Sequence, residues 1–398
     1  MRGGSGAPSL FAVVCLAVIS HTAFTASRMT VSLAAIKLMA PTYVVGLLLS
    51  LYALLPMLLS VTLGRWIDRV GTRVPMLLGA STLGVAFVIP AIWTAMPALY
   101  ANSVLGGVGF LLFHMSVQKL TGELADGPDR MRNFGVLAVG FSISGFCGPI
   151  SAGYLIDHAG PGASFGGSFA LSTLLIAAAF ALLKWHWRFD GRTMVGAGAR
   201  PPNSRVFDLL RTPELRRMYL AVVMISSAWD VLMFLVPVQG SKIGLSASEI
   251  GFVLGAFSAA TFVVRVAMPL FIGRITEWQM IGVVQVVAAL VYLVFPLVGS
   301  HYGLVALAFV LGLGLGIGQP AVMSLLHRVV PPGRVGEAVG LRMTMINGTQ
   351  AVLPTLFGSL GSLMSTFLSG ALTFAPLFWG VALMVGAGGI SSLRHRSE

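Results

Sequence analysis

The segment Gly64-Arg65-Trp66-Ile67-Asp68-Arg69-Val70-Gly71-Thr72-Arg73 places four charged side chains between two long apolar stretches. Residues 42–63 precede this segment and residues 75–95 follow it. Each stretch is long enough to cross a bilayer as an α-helix, which requires about 20 mostly apolar residues. The segment is therefore predicted to be a short polar loop that joins two membrane spans.

The composition of the whole chain supports a membrane protein. Of its 398 residues, 56% are hydrophobic and only 10% are charged, whereas about a quarter of the residues in a soluble domain are charged. A soluble core cannot bury so large an apolar excess. The composition thus excludes a soluble enzyme, a disordered chain and a nucleic-acid-binding protein.

The same length criterion predicts an all-α polytopic membrane protein with twelve transmembrane helices. The predicted spans are residues 9–35, 42–63, 75–95, 98–121, 134–156, 163–184, 217–239, 247–272, 279–299, 302–326, 336–360 and 367–392. A long hydrophilic stretch rich in Gly, Pro and Arg follows the sixth span. It divides the chain into an N-terminal six-helix bundle (1–184), a cytoplasmic linker (185–216) and a C-terminal six-helix bundle (217–398).

The distribution of basic residues predicts the orientation. Most Lys and Arg residues fall in segments on one side of the predicted spans, whereas Lys37 and Lys242 fall in loops on the other side. The positive-inside rule places the basic side, with both termini, in the cytoplasm. The net charge of +12 is thereby explained without a nucleic-acid partner. The basic face and short loops fit the inner membrane of a bacterium.

The two halves of the sequence repeat each other. Gly64 and Asp68 after the second span recur as a glycine and a glutamate after the eighth, at an offset of 209 residues (64 to 273). Gly135, Pro149 and Gly153 of the fifth span recur in the eleventh, at an offset of 205 residues (149 to 354). The second copies are Gly273, Glu277, Gly340, Pro354 and Gly358. Internal repeats of this kind are typical of secondary transporters, with the substrate site near the membrane midplane.

The segment 64–73 resembles the loop signature between the second and third helices of the major facilitator superfamily. Ile67 and Thr72 depart from the usual small and basic residues of that signature. The resemblance extends over the whole chain and implies the major facilitator fold, with two six-helix bundles. It also implies a cytoplasmic gate formed by Gly64, Asp68, Arg69, Gly71 and Arg73. The alternative is an ordinary basic loop that only sets the topology.

A second motif lies in the fifth span, at Gly148-Pro149-Ile150-Ser151-Ala152-Gly153. It resembles a signature of the proton-driven efflux branch of the same superfamily, with Ala152 in place of one glycine. Gly148 and Gly153 would allow a close approach of another helix, and Pro149 would bend the span. The motif favours export over import, although small residues could also serve general helix packing.

Two residues are candidates for proton coupling. Asp230 lies near the middle of the seventh span, and an ionisable residue at membrane depth is functional by default. A carboxylate in such a site could load and release a proton as access alternates, or it could pair statically with a nearby cation. His21 of the first span titrates near neutral pH and is the second candidate.

Other polar and aromatic residues of the spans are candidates for the substrate cavity. His21, Thr25 and Arg28 share one helical face, on a helix that lines the cavity in the resembled family. For Arg28 an interfacial position, and for His114 simple packing, are equally open alternatives. The cavity candidates are Thr25, Arg28, His114, Gln118, Trp229, Gln319, Asn347, Gln350 and Arg342.

These features predict a proton-coupled secondary transporter that exports small organic or amphiphilic molecules by antiport and alternating access. Import of an organic anion with protons, and lipid flipping, are the alternatives. The sequence contains no P-loop, catalytic triad pattern or metal-spaced cluster, so we expect neither an enzyme nor a metal or cofactor. The expected partners are a small-molecule substrate, protons and the lipid bilayer. The proton gradient would supply the energy, and a monomer would suffice.

Overall fold

The computed structural model describes residues 9–124, 128–185, 206–267, 275–330, 335–367 and 371–394. These residues are almost entirely helical and include no β-strand. By length and composition, ten helices in this part of the chain could cross a membrane. The predicted all-α membrane fold is thus confirmed.

In the described residues, the first half of the chain forms five long helical segments, the last of which contains two helices. They are α1 (Leu10–Lys37), α2 (Thr42–Val70), α3 (Arg73–Ile92), α4 (Met96–Glu123) and α5 (Pro128–Trp185). The predicted fifth and sixth spans are joined in α5 without an intervening loop. Gly160 interrupts α5 with a φ of 84°, a backbone conformation that favours glycine. The chain therefore turns between the two spans at Gly160, where the two helices of α5 meet.

The described residues of the second half form six α-helices after a short 3-10 helix at Val206–Arg211. They are α6 (Pro213–Lys242), α7 (Ala247–Ala267), α8 (Glu277–Val294), α9 (His301–Val329), α10 (Val335–Phe367) and α11 (Ala375–Arg394). The predicted start of the twelfth span at residue 367 was wrong. Phe367 still belongs to α10, and a 3-10 helix at Ala371–Phe374 precedes α11.

The described residues form two compact units. The first contains those of 1–40, 51–193 and 246–255, and the second those of 41–50, 194–245 and 256–398. In the first unit α1 packs against α5 and α3 against α4. In the second unit α6 packs against α10 and α8 against α9. These helices contain the corresponding spans of the predicted repeat, so each unit uses the same pairings.

Candidate functional site

The face of α1 that carries His21 lies against α5 in the first unit. Nδ1 of His21 is 2.6 Å from Oγ of Ser144, within hydrogen-bond distance. One turn later, the hydroxyl of Thr25 donates to the backbone oxygen of His21 (2.9 Å) and lies 3.4 Å from that of Ser144. The Thr25 hydroxyl is thus engaged with backbone groups at the contact between the two helices.

His21 belongs to a cluster of five rings, with Phe24, Phe110, His114 and Phe141. Phe24 stacks on Phe110, with ring centroids 3.9 Å apart, and Phe110 stacks on His114 at 5.1 Å. Phe141 contacts both histidines, with centroids 5.0 Å from His21 and 5.1 Å from His114. Except for Phe24, the five rings are only partly buried. The cluster therefore offers apolar ring faces beside two titratable groups.

Gln118 contacts His114 one turn along α4. The side-chain nitrogen Nε2 of Gln118 is 2.7 Å from Nε2 of His114. An amide nitrogen only donates, so a hydrogen bond here requires the imidazole nitrogen to accept. Two predicted cavity residues are thereby brought together on one helical face.

A buried hydrogen-bond network beside Arg28 was missed from the sequence. The Asn102 amide donates to the Tyr52 hydroxyl (2.6 Å) and to the Ser27 hydroxyl (3.0 Å), and these two hydroxyls are 2.9 Å apart. The Arg28 guanidinium carbon lies 5.9 Å from the centroids of the Phe24 and Tyr52 rings. The network holds α1, α2 and α4 together next to a predicted cavity residue.

Replacing Tyr52 with Phe is expected to destabilise the protein by about 1–3 kcal/mol, because buried donors and acceptors lose their partner. Asn102 and Ser27 are fully buried. The measurement is thermal unfolding of the purified protein in detergent. Tyr302→Phe is the matched control, because Tyr302 is 85% exposed. Equal unfolding temperatures for both variants would contradict this role of the network.

Asp230 lies in the second unit and is buried, with 4% of its surface exposed. Its Oδ2 accepts a hydrogen bond from the Thr349 hydroxyl at 3.1 Å. The Tyr292 hydroxyl donates to the backbone oxygen of Ala228 and lies close enough to Asp230 for an electrostatic interaction. Thr349 and Tyr292 were both missed from the sequence. The carboxylate is therefore held among hydroxyl groups of α8 and α10.

Arg342 and Gln319 lie together in the second unit. One terminal nitrogen of the Arg342 guanidinium donates to the Gln319 side-chain oxygen. Arg342 is only 4% exposed, and its Nε is buried without a hydrogen-bond partner among the described residues. A buried guanidinium with a free donor could bind an anionic group.

Three further candidates of the second unit are partly buried: Trp229, Asn347 and Gln350. The Trp229 ring meets Phe257 edge to face, with centroids 4.6 Å apart. Asn347 and Gln350 flank Thr349 on α10. The predicted positions were therefore within two residues of the group that contacts Asp230.

The predicted cytoplasmic gate lies at the end of α2 and the start of α3. The prediction of a polar loop over residues 64–73 was therefore wrong for all but Gly71 and Thr72, because α2 continues to Val70. Gly71 adopts a φ of 80°, so the turn between the helices requires a residue that tolerates this conformation. A Cβ on Gly64 would lie 3.1 Å from the Met115 side chain of α4. Arg69 is exposed, and Arg73 begins α3. The side chain of Asp68 lies outside the described part of the structure.

A lysine and an arginine, 209 residues apart (119 to 328), contact the two copies of the repeated segment that begin at Gly64 and Gly273. Lys119 donates to the backbone oxygen of Ile67 at 3.1 Å. Arg328 pairs with Glu277, with 3.0 Å between Nη1 and Oε2, and the Ser324 hydroxyl donates to the same carboxylate at 2.9 Å. Gly273 and Arg274 of the second copy lie outside the described residues. The shared offset could have identified Lys119 and Arg328 from sequence.

The predicted antiporter-like motif lies in α5 and contacts two helices of the first unit. A Cβ on Gly148 would come within 3.0 Å of Thr25 and of the backbone oxygen of Thr22 in α1. Further along, Gly153 lies against α7, as does the backbone oxygen of Pro149. The glycines thus permit close contact with both helices. Among the described residues, no group of three or more His, Cys, Asp or Glu side chains could hold a metal.

Comparisons with known proteins agree with this architecture. The chain is 26% identical over 358 residues to the class C tetracycline resistance protein of Escherichia coli, covering 86% of this chain and 83% of the relative. It is 22% identical over 352 residues to multidrug resistance protein 2 of Bacillus subtilis (strain 168), covering 86% and 84%.

Solved structures show the same fold. A crystal structure of the peptide transporter POT in complex with sulfate aligns with a TM-score of 0.77 at 15% identity, over 96% of this chain and 93% of that one. The family model described as Major Facilitator Superfamily matches residues 13–354 and 218–397. The proteins of this family are membrane transporters rather than enzymes. The chain therefore belongs to the major facilitator superfamily and is a multi-pass membrane transporter.

Proposed function

We propose that this transporter exports small organic or amphiphilic molecules in exchange for protons. The observation that carries the proposal is the buried carboxylate of Asp230, held by the Thr349 hydroxyl in the second unit. A carboxylate at membrane depth is costly and is usually retained for proton or ion transfer. The resistance proteins named above, which are similar over most of their length, favour export.

The ring cluster around His21 supports an amphiphilic substrate. The rings of Phe110 and Phe141 are partly exposed beside the polar groups of His21, His114 and Gln118. Sites for small organic molecules are mainly apolar and aromatic, with a few placed polar groups. A cluster of this composition suits a molecule with an apolar body and a small number of polar substituents.

Exchange would follow from competition between protons and substrate. When the site faces the outside, Asp230 takes up a proton and the substrate leaves. When the site faces the cytoplasm, the proton is released and the substrate binds. His21 is the second residue that could carry a proton. The proton gradient supplies the energy, and no cofactor takes part.

Location and assembly are part of the same proposal. The basic loops favour a cytoplasmic location for both termini, and the bacterial relatives favour a bacterial inner membrane. One chain would be sufficient for transport, because it contains both copies of the six-helix repeat.

A second function, import of an organic anion with protons, is favoured by Arg342. Its guanidinium is buried and has a free Nε donor among the described residues, which could bind a carboxylate. Arg28 and His21 would add positive charge near an anionic substrate.

Inside-out membrane vesicles distinguish the two functions. Respiration acidifies the lumen of such vesicles, and a pH-sensitive dye reports it. For export by antiport, a substrate added outside the vesicles should release protons from the lumen and partly restore dye fluorescence. For import by symport, the same addition should leave the fluorescence unchanged. A panel of tetracyclines, cationic dyes and aromatic acids is tested, with vesicles that lack the protein as the control.

A further inference from the structure

Two glycines pack α5 and α7 together in the first unit. A Cβ on Gly153 would come within 3.0 Å of the backbone oxygen of Ala247, and a Cβ on Gly251 within 3.0 Å of that of Pro149. In this contact, a glycine of each helix packs against a backbone carbonyl group of the other helix. We name these four residues the α5–α7 seam.

Two glycines pack α2 and α10 together in the second unit in the same way. A Cβ on Gly46 would come within 3.0 Å of the backbone oxygen of Pro354, and a Cβ on Gly358 within 3.0 Å of that of Thr42. We name these four residues the α2–α10 seam. Each member corresponds to a member of the other seam at one offset of 205 residues (149 to 354). The corresponding pairs are Pro149 and Pro354, Gly153 and Gly358, Thr42 and Ala247, and Gly46 and Gly251.

The side chain that accepts hydrogen bonds at the end of a seam differs between the two seams. The Asp157 carboxylate accepts hydrogen bonds from the backbone N–H groups of Ala247 (3.0 Å) and Ser248 (2.8 Å). The residue at the corresponding position, Ser362, accepts one hydrogen bond from the backbone N–H of Tyr43 (3.1 Å). One seam is therefore closed by two hydrogen bonds to a carboxylate, and the other by one hydrogen bond to a hydroxyl.

The first turn of α7 leaves two N–H groups for Asp157. Ser246 and Glu249 form a capping box, in which the Ser246 hydroxyl accepts from the Glu249 N–H (3.2 Å) and the Glu249 carboxylate accepts from the Ser246 N–H (2.8 Å). The N–H groups between them, of Ala247 and Ser248, have no partner within the helix. A negative charge at this helix end is also stabilised by the helix dipole.

Asp157 lies between the predicted fifth and sixth spans. Burial alone would raise its pKa, but the hydrogen bonds from Ser248 and Ala247 at the start of α7 outweigh this effect and hold the pKa below its usual value. The carboxylate is therefore charged at neutral pH, and hydrogen bonds to a charged acceptor are about twice as strong as neutral ones.

We propose that Asp157 is the latch of the α5–α7 seam and contributes more to closing the outer helix ends than Ser362 does. The inference rests on the proposed function, because movement of the predicted bundle 1–184 against the predicted bundle 217–398 during alternating access would separate α5 from α7 and α2 from α10. In the predicted orientation, all four helix ends face the outside. The latch holds them closed until the transporter opens outward.

Distances between spin labels in lipid nanodiscs test the latch without a substrate or a proton gradient. Cys15 and Cys147, the two cysteines of the chain, are replaced by Ser. One label pair is attached at the exposed positions Tyr154 and Phe252, on α5 and α7. A second pair is attached at Tyr43 and Leu363, on α2 and α10, which are also exposed. The ratio of separated to closed populations is measured for each pair.

Asp157→Ala is expected to raise the ratio of separated to closed α5–α7 populations by about tenfold, because two charge-assisted hydrogen bonds are lost. Asp157→Asn, which keeps one acceptor, should give a smaller rise. Ser362→Ala should raise the ratio at the α2–α10 pair by about threefold at most, since one neutral hydrogen bond is lost. Glu249→Gln is the matched control, because it removes a charge from the same helix end and preserves the capping box.

Two results would overturn the latch. The first is a ratio of separated to closed α5–α7 populations that is the same in Asp157→Ala and Glu249→Gln. The second is a rise in the α2–α10 ratio of Ser362→Ala that is as large as the rise in the α5–α7 ratio of Asp157→Ala. If Asp157→Ala does not fold, the comparison is made with Asp157→Asn. Failure of the proposed export function would leave these distances unaffected, so the two failures are distinguishable.

Discussion

Replacing Asp230 with Asn is expected to abolish proton movement coupled to the substrate and to weaken substrate affinity by about tenfold, because the neutral amide resembles the protonated carboxyl group from which the substrate leaves. Asparagine has nearly the same shape as aspartate, and its amide oxygen can still accept the hydrogen bond that Thr349 donates to Asp230. An amide does not release a proton in this pH range. The substitution thus removes proton transfer and preserves the packing around α6.

Two measurements are needed to test this expectation. Substrate affinity is measured by binding to the purified protein, and coupling is measured by the pH change in proteoliposomes. Glu214→Gln is the matched control, because Glu214 lies in the first turn of the same helix, outside the predicted span, and its loss should leave coupling unchanged. Normal coupling in Asp230→Asn would show that Asp230 is structural and would make His21 the residue to test.

Replacing Gly148 with Ala is expected to destabilise the protein by about 1–3 kcal/mol, the usual cost of overpacking a tight contact. The added Cβ would come within 3.0 Å of Thr25 and of the backbone oxygen of Thr22. A backbone atom cannot move aside by rotation, so α1 must shift away from α5. The contact between His21 and Ser144 lies on the same pair of helices and should be lost, with a large loss of transport.

Gly135→Ala is the matched control for Gly148→Ala. Gly135 lies in the same helix, and a Cβ there would have no atom within 4 Å. Alanine in place of an unobstructed helical glycine is expected to be neutral or to stabilise the helix by about 1 kcal/mol. Thermal unfolding in detergent and transport by the proteoliposomes are compared. Equal stability and activity of the two variants would show that the antiporter-like motif does not depend on close packing.

The helices were predictable because hydropathy alone determines which segments can cross a membrane. The boundary between the fifth and sixth spans was placed correctly near Gly160, but the absence of a loop there depends on the φ of one glycine. The late start of α11 depends on a 3-10 turn at Ala371–Phe374. Hydropathy cannot indicate such a turn, because its residues are as apolar as the helix that follows.

The polar contacts were less predictable. Asp230 was identified because a carboxylate is rare within a span, whereas its partner Thr349 is an ordinary residue in membrane helices. Asn102 and Tyr52 were missed for the same reason, since each is acceptable in a span without a partner visible in sequence. The predicted cavity residue Gln350 is the neighbour of Thr349, the residue on α10 that contacts Asp230. The prediction missed by one residue because helical phase was the only guide to which side chains face each other.

The internal repeat relates more residues than the three by which it is recognised in the sequence. The offset of 205 residues, found from Gly135, Pro149 and Gly153, also relates the glycines and the end-capping residues of the two seams. Gly46 and Gly251 were not identified from sequence, because a glycine within an apolar span has many possible roles. Only the positions of the facing carbonyl groups show why glycine is required there.

Exchange of protons for substrate is the central claim, and one measurement tests it most directly. Purified protein is reconstituted in proteoliposomes that contain a pH dye, and a compound that is active in the inside-out vesicles is added outside, with no imposed pH gradient. The compound should enter the lumen while protons leave, so the lumen should become more alkaline, and Asp230→Asn should abolish this change. Acidification of the lumen would indicate symport, and transport of the compound without any pH change would contradict proton coupling.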